Sequence, residues 1–194
     1  VYIATSLDGL NPRKYRHSRM TVYMGRMALS QQKWFYHDVD MHVMSVCVKK
    51  ATKAVGRRLC ALSREGDVEI YSNGDGSILL EKIPGAGPQP DNMTRGLAGY
   101  VTNIREIGAS LYVCGISGQV YRRVGEGKWV EMDKGLYKPL TDPAGEHENM
   151  FTCIDGNSES DIYVVGMNGV IFHFDGEQWT SVDSSTHSHL NWVR

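Results

Sequence analysis

Apolar residues along this chain fall in short runs broken by glycine-containing turns, and nowhere do they recur at helical spacing. The nearest candidate, residues 49–58, holds Gly56 and a basic excess and reads as a loop. Two stretches match each other closely. One is Ser110-Leu111-Tyr112-Val113-Cys114-Gly115-Ile116-Ser117-Gly118-Gln119-Val120-Tyr121, and the other is Asp161-Ile162-Tyr163-Val164-Val165-Gly166-Met167-Asn168-Gly169-Val170-Ile171-Phe172. Each reads as an apolar strand, a glycine turn and a second strand. Each is followed by a tryptophan, Trp129 or Trp179, and preceded by a further strand at 101–105 or 151–154. The order is four short strands per unit.

The pattern extends backwards with lower fidelity. A first strand at 44–48 and a second at 59–62 lead through Gly66 to a third at 68–71, with Leu79-Leu80 in place of the tryptophan strand. At the front, 1–5 leads to Asp8-Gly9, and Trp34 closes the unit. The turn glycines Gly9, Gly66, Gly118 and Gly169 lie 57, 52 and 51 residues apart. Four strands on a period near 50 predict an all-β fold, a β-propeller of four-stranded antiparallel blades, with a β-sandwich as the alternative. The units are 1–42, 43–92, 93–149 and 150–189 within a single domain spanning 1–194, with 190–194 starting or completing a blade. About four blades are visible, forming either a closed four-bladed ring or part of a six- to eight-bladed one. The second strands, 111–114 and 162–165, are almost continuously apolar, as strands covered on both faces should be. The tryptophans belong on the outermost strand, packed against a neighbouring blade.

The segment with Ile162-Tyr163-Val164-Val165-Gly166 and Phe174-Asp175-Gly176-Glu177-Gln178-Trp179 resembles a repeat of the bacterial propellers grouped as YVTN or BNR-like, within the wider WD-repeat-like architecture. Residues 110–129 look similar, and the resemblance covers roughly 100–183. It implies a fold and not an activity. Ser6-Leu7-Asp8-Gly9 falls one residue short of the Asp-box of sialidase-like propellers and lacks its Thr-Trp. The Trp-Asp dipeptide of WD repeats is absent. Neither subfamily's function is therefore implied.

Composition narrows the function classes. The 194 residues carry 21 Lys and Arg against 22 Asp and Glu, a formal charge of −1, which argues against a dedicated nucleic-acid or membrane-surface binder. No apolar run approaches the roughly 20 residues of a membrane-spanning helix. The 21 glycines exceed the usual share and mark hairpin turns. Cys47, Cys60, Cys114 and Cys153 all fall in predicted strands with no C-x-x-C pair, so buried free thiols and a reducing, cytoplasmic location are expected. His187 and His189 lie in a serine-rich turn. His173, between Phe172 and Phe174, should face solvent or the next blade. No phosphate loop, nucleophile elbow or paired acids mark a catalytic site. The expectation is no enzyme, no metal and no cofactor.

The long insertions carry the functional signal. Residues 8–19 join the second and third strands of the first unit, while 84–99 and 133–148 join one unit to the next, as does 183–189. In a propeller these loop types share one face, and insertions on one face build a binding surface. One loop is basic, with Arg13, Lys14, Tyr15, Arg16 and Arg19. Another is acidic, with Tyr137, Asp142, Glu146 and Glu148. Arg and Tyr anchor protein interfaces, and mixed charge suits a protein partner better than a polyanion. Lys49, Lys50, Lys53, Arg57 and Arg58 map to the opposite face as a solvated loop or a second contact. The expectation is a non-catalytic protein-binding propeller. Its most concrete form is a bacterial immunity protein that occludes a toxin, which the resemblance permits. A carbohydrate-binding or glycan-active propeller and an assembly or scaffold factor are the alternatives.

Overall fold

The computed structural model describes residues 2–11, 16–23, 25, 31, 33–52, 56–72, 74–88, 96–140 and 149–194. The backbone divides into two units, Val1–Val43 and Met44–Arg194. Among the described residues all regular structure is antiparallel sheet apart from single 3-10 turns.

The first unit holds β1 (Tyr2–Thr5), β2 (Ser18–Tyr23) and β3 (Trp34–Val39), paired in that order. Alternation divides its sheet into two faces. Met20 and Val39 are buried on one face. Ile3, Tyr23, Trp34 and Tyr36 lie on the other, in register through the pairs Ile3–Thr21, Thr21–Tyr36 and Tyr23–Trp34.

The second unit holds three four-stranded meanders. They are β4 (Val43–Lys49) to β7 (Ile78–Lys82) through β5 (Arg58–Ser63) and β6 (Asp67–Ser72); β8 (Val101–Ile107) to β11 (Lys128–Glu131) through β9 (Ser110–Gly115) and β10 (Val120–Gly125); and β12 (Phe151–Ser158) to β15 (Trp179–Ser181) through β13 (Asp161–Gly166) and β14 (Ile171–Phe174). Every predicted strand is present except the one expected at 190–194, which runs beside β12 without entering a sheet. β12 runs four residues beyond its predicted end, because Gly156 and Ser158 extend the pairing with β13 through an irregular register.

Burial explains the apolar runs. Leu111, Tyr112, Val113 and Cys114 of β9 are all fully buried, because the middle sheet is covered on both faces. Leu111, Val113, Tyr121 and Trp129 pack with Leu62, Val68, Ile70 and Ile83 of the preceding blade. Tyr112, Cys114 and Val120 pack with Phe151, Ile154, Ile162 and Val164 of the following one. Between them the two clusters hold most of the buried large apolar side chains described in the unit, the dominant stabilising contribution. The four cysteines are buried free thiols within this core. Burial pushes the Cys114 thiol well above its ordinary range.

Polar ties set the spacing of the first strands. Ser45 Oγ accepts the Ile104 N–H and the Asn103 amide, each at 3.1 Å, and Asn103 Oδ1 accepts the Ile154 N–H at 3.3 Å. One asparagine thus joins three neighbouring blades. Residues 190–194 form no strand and run beside β12. Thr152 Oγ1 donates to the Leu190 carbonyl, as Thr102 Oγ1 donates to that of Phe151.

Candidate protein-binding surface

The second-to-third-strand turns and the blade-joining segments of the second unit are built into one another. The turn Ile116–Gly118 donates from Ile116 N to Tyr100 O (2.9 Å) and from Gly118 N to Asn149 O (2.8 Å), and Ser117 O accepts from Lys138 N (2.9 Å). The turn Met167–Gly169 repeats the arrangement. Met167 N donates to Met150 O, and Asn168 N donates to His189 Nδ1. Close approach requires glycine here. A Cβ on Gly118 would collide with Leu136 O, and one on Gly169 with Thr186 O, and both residues have positive φ.

Gln119 locks the entry to this surface. Fully buried, it accepts Gly87 N–H and the Tyr121 hydroxyl at Oε1 and donates from Nε2 to Gly99 O and Ile116 O. The Tyr121 hydroxyl lies between Gln119 Oε1 and Gly85 O, 3.1 Å from the latter, so that its one proton is shared by the two acceptors. The two long joining segments then bond to each other. Leu140 N donates to Leu97 O at 2.8 Å, and the Tyr137 hydroxyl donates to Gly96 O at 3.4 Å. The described stems of the two insertions, residues 96–99 and 133–140, are therefore hydrogen-bonded to each other.

The sequence-predicted residues divide accordingly. Tyr137 is half-buried in the paired stems. Asp142, Glu146 and Glu148 lie outside the described residues, as do Arg13, Lys14 and Tyr15. Arg16 is exposed. Arg19, expected in a loop, belongs to β2. Its guanidinium makes a two-point pair with Asp38 at 2.7 Å and lies 4.1 Å over the Tyr36 ring. That pairing holds the Asp38 carboxyl below its usual range. Cross-strand register takes Arg19 out of the loop, since it lies directly opposite Asp38.

The opposite end of the second unit also differs from expectation. Lys49 ends β4, where its ammonium bonds to the Ala109 carbonyl and lies 3.4 Å from Glu106, and Glu106 also accepts the Lys50 N–H. The basic run is thus partly a latch onto the next blade rather than a solvated loop. Lys53 lies outside the described residues. One blade on, Glu159 repeats the device in reverse, bonding Ser110 Oγ, the Ala109 N–H and the Arg122 guanidinium. His173 is neither simply solvated nor packed on a following blade. It stacks on Tyr163 with centroids 4.4 Å apart and pairs with Asp161 at 2.9 Å.

The outer tryptophans behave as the repeat predicts. Trp179 donates its indole N–H to the Met132 carbonyl of the preceding blade at 2.6 Å. Trp129 donates to Glu81 of its own preceding blade at 2.8 Å. Glu81 also takes two points from Arg123 and the Gly127 N–H. Burial pushes the Glu81 carboxyl up, but Arg123, Gly127 and Trp129 together hold it below the usual range. Glu81 belongs to no motif, and Gln119 stands in the repeat opposite Val170, so neither carried a sequence signal for a role that comes from neighbours distant along the chain. Among the described residues no group of His, Cys, Asp and Glu could hold a metal ion, and no helix is long and apolar enough to cross a membrane.

Comparison with known proteins bears on what such a surface serves. The chain is similar to an immune protein. Over 187 residues, 95% of its length, it is 32% identical to the immune protein Tsi7 of Pseudomonas aeruginosa strain PAO1. It spans 56% of that relative, about half its length. No protein-family model matches the chain. In three dimensions it resembles a structure of YCF48 bound to D1 peptide, with a TM-score of 0.53 and 13% identity, covering 85% of this chain and 49% of that one. That likeness shows an all-β, propeller-like fold.

Proposed function

We propose that this chain belongs to a non-catalytic, propeller-type immunity protein that binds a toxin and neutralises it by occlusion. The observation that carries this reading is the 32% identity to an immune protein across nearly the whole chain. The stacked four-stranded sheets support blades of the YVTN or BNR-like kind within a larger propeller of six to eight blades, because the chain spans only about half of each protein it matches. The partner-binding residues are Arg13, Lys14, Tyr15 and Arg16 from the basic insertion, and Tyr137, Asp142, Glu146 and Glu148 from the acidic one. Arg19 contributes by holding Tyr36 and Asp38 in place on the sheet that flanks its insertion. The protein acts in the cytoplasm, without metal or cofactor, where free buried thiols persist.

The test is capture of the chain from its source cells followed by reconstitution with the captured protein. A stoichiometric complex in which the partner loses its toxic activity is expected. Tyr137→Ala and a Glu146→Lys/Glu148→Lys double variant should weaken it while leaving circular dichroism unchanged. The reading is overturned if no partner is recovered and a glycan array gives a hit that Tyr137→Ala abolishes.

A further inference from the structure

The second unit sets two of its thiols against each other. Counted back from the turn glycines Gly66, Gly118 and Gly169, Cys60 of β5 occupies the position of Tyr112 in β9 and of Tyr163 in β13. Ser45 accepts the Ile104 N–H as Asn103 accepts the Ile154 N–H, which equates Ser45 with Asn103 and Ile104 with Ile154. Cys47 then matches Arg105 and Asp155. Arg105–Tyr112 and Asp155–Tyr163 are directly opposite register pairs. Cys47 and Cys60 therefore stand opposite each other on β4 and β5, neighbours in their sheet, and the two thiols are hydrogen-bonded. Both are buried in the cluster that joins this blade to the next. Opposite residues of an antiparallel pair have Cα atoms about 4.5–5.5 Å apart, within the span of a disulfide.

The two sulfurs are unequal. Cys60 accepts from the Cys47 thiol and from the Lys49 N–H, and the Lys49 and Arg123 cations lie near it. The Cys47 hydrogen bond does most to hold the Cys60 thiol below its ordinary range, against the effect of burial. Cys47, the donor of the pair and itself buried, is pushed well above that range. The remaining thiols stay protonated: burial pushes Cys114 up, and Cys153 donates to the Val193 carbonyl at 3.9 Å. We propose that Cys47 and Cys60 form a peroxide-sensitive dithiol, in which Cys60 reacts first and Cys47 resolves it. The Cys60 thiolate attacks one peroxide oxygen, the O–O bond breaks, and the departing hydroxide takes up a proton as water. The Cys47 sulfur then displaces hydroxide from the Cys60 sulfenic acid, and the Cys47 proton leaves with it as a second water. Two thiols are oxidised to one disulfide while one peroxide is reduced to two waters. The bond staples β4 to β5 and closes residues 48–59 into a covalent loop. In a reducing compartment such a bond forms and reverses, as a sensor does and a structural disulfide does not.

The test treats the folded 194-residue chain, freed of reductant, with hydrogen peroxide, then alkylates it in denaturant and digests it without reduction. Mass spectrometry should find the Cys47 and Cys60 peptides joined and two hydrogens lighter than the free pair, with Cys114 and Cys153 alkylated as thiols. Dithiothreitol should reverse the link. Cys47→Ser should leave a sulfenic acid on Cys60 that dimedone traps, whereas Cys60→Ser should leave Cys47 unlabelled. Circular dichroism establishes that each variant is folded, and the wild-type map decides the pairing where one is not. Recovery of Cys47 and Cys60 as free thiols after peroxide overturns the proposal. So does oxidation of all four cysteines to a similar extent, or dimedone on Cys47 in the Cys60→Ser variant. The toxin takes no part in these measurements, so their failure leaves the immunity reading standing, and failure to capture a partner leaves the dithiol standing.

Discussion

At the residue scale, the backbone turns are the most sensitive points. Gly118 and Gly127 both have positive φ, 74° and 62°, but only Gly118 has a backbone carbonyl where a Cβ would go. Gly127→Ala should cost about 1 kcal/mol, the ordinary penalty of the left-handed region. Gly118→Ala should cost clearly more, because the Leu136 segment must also move, and urea melts of the two variants compare them directly. Ser117 occupies φ 69° with its hydroxyl buried and no hydrogen bond to it, whereas the matching Asn168 occupies φ 58° with a residue that tolerates this region. Ser117→Gly should therefore stabilise the chain, by a few tenths of a kcal/mol up to about 1 kcal/mol.

Glu81 ties residue to element. Its folded carboxyl titrates below its ordinary value, so its stabilisation is complete above the unfolded carboxyl's pKa of about 4.3 and is lost as pH falls through the lower, folded value. Glu81→Ala leaves Arg123 buried without its carboxylate and the Trp129 indole without its acceptor, and should cost about 3–5 kcal/mol at neutral pH. Chemical denaturation of wild type and variant between pH 3 and 7 should show the difference narrowing at the acid end; a pH-independent difference would remove the ionised pair as its cause. At the scale of the blade, Trp179→Phe keeps most of the apolar contact but strips the Met132 carbonyl of its donor, a loss of about 1 kcal/mol. The same logic ranks hydrogen exchange. β9, fully buried between two sheets, should exchange slowest, and the three-residue edge strand β15 among the fastest.

At the scale of the molecule, the proposed partner contact is an electrostatic one. Reversing Arg13 and Arg16 should slow association with the toxin by about 10-fold at low salt, with much less effect at 0.5 M salt and little change in dissociation, because charges at a surface steer encounter more than they hold the complex. Stopped-flow association at two ionic strengths checks this. Arg19→Glu should behave differently. It breaks the two-point pair with Asp38 and removes the cation from Tyr36, so it should lower the melting temperature of the first unit even without partner.

What the sequence determines here is the recurring local element. Alternation, glycine turns and the near-50 period encode a four-stranded meander, because each strand pairs with its neighbour in the chain and the signal is short-range. Hence the strands of the repeating units, the buried cysteines and the role of Trp129 and Trp179 are legible in the sequence. The joining segments that carry the candidate surface were legible too, but only as places where length accumulates. The ties between blades were not. Trp129 and Glu81 lie 48 residues apart, and Lys49 and Glu106 lie 57 apart. Nothing in a local pattern says which carboxylate will lie behind an indole, or that a basic run will end in a latch. Those partners are set by how one blade stacks on the next, and stacking depends on the packing of whole faces. Tertiary structure alone therefore decided that Arg19 belongs to a sheet and that Gly118 must be glycine.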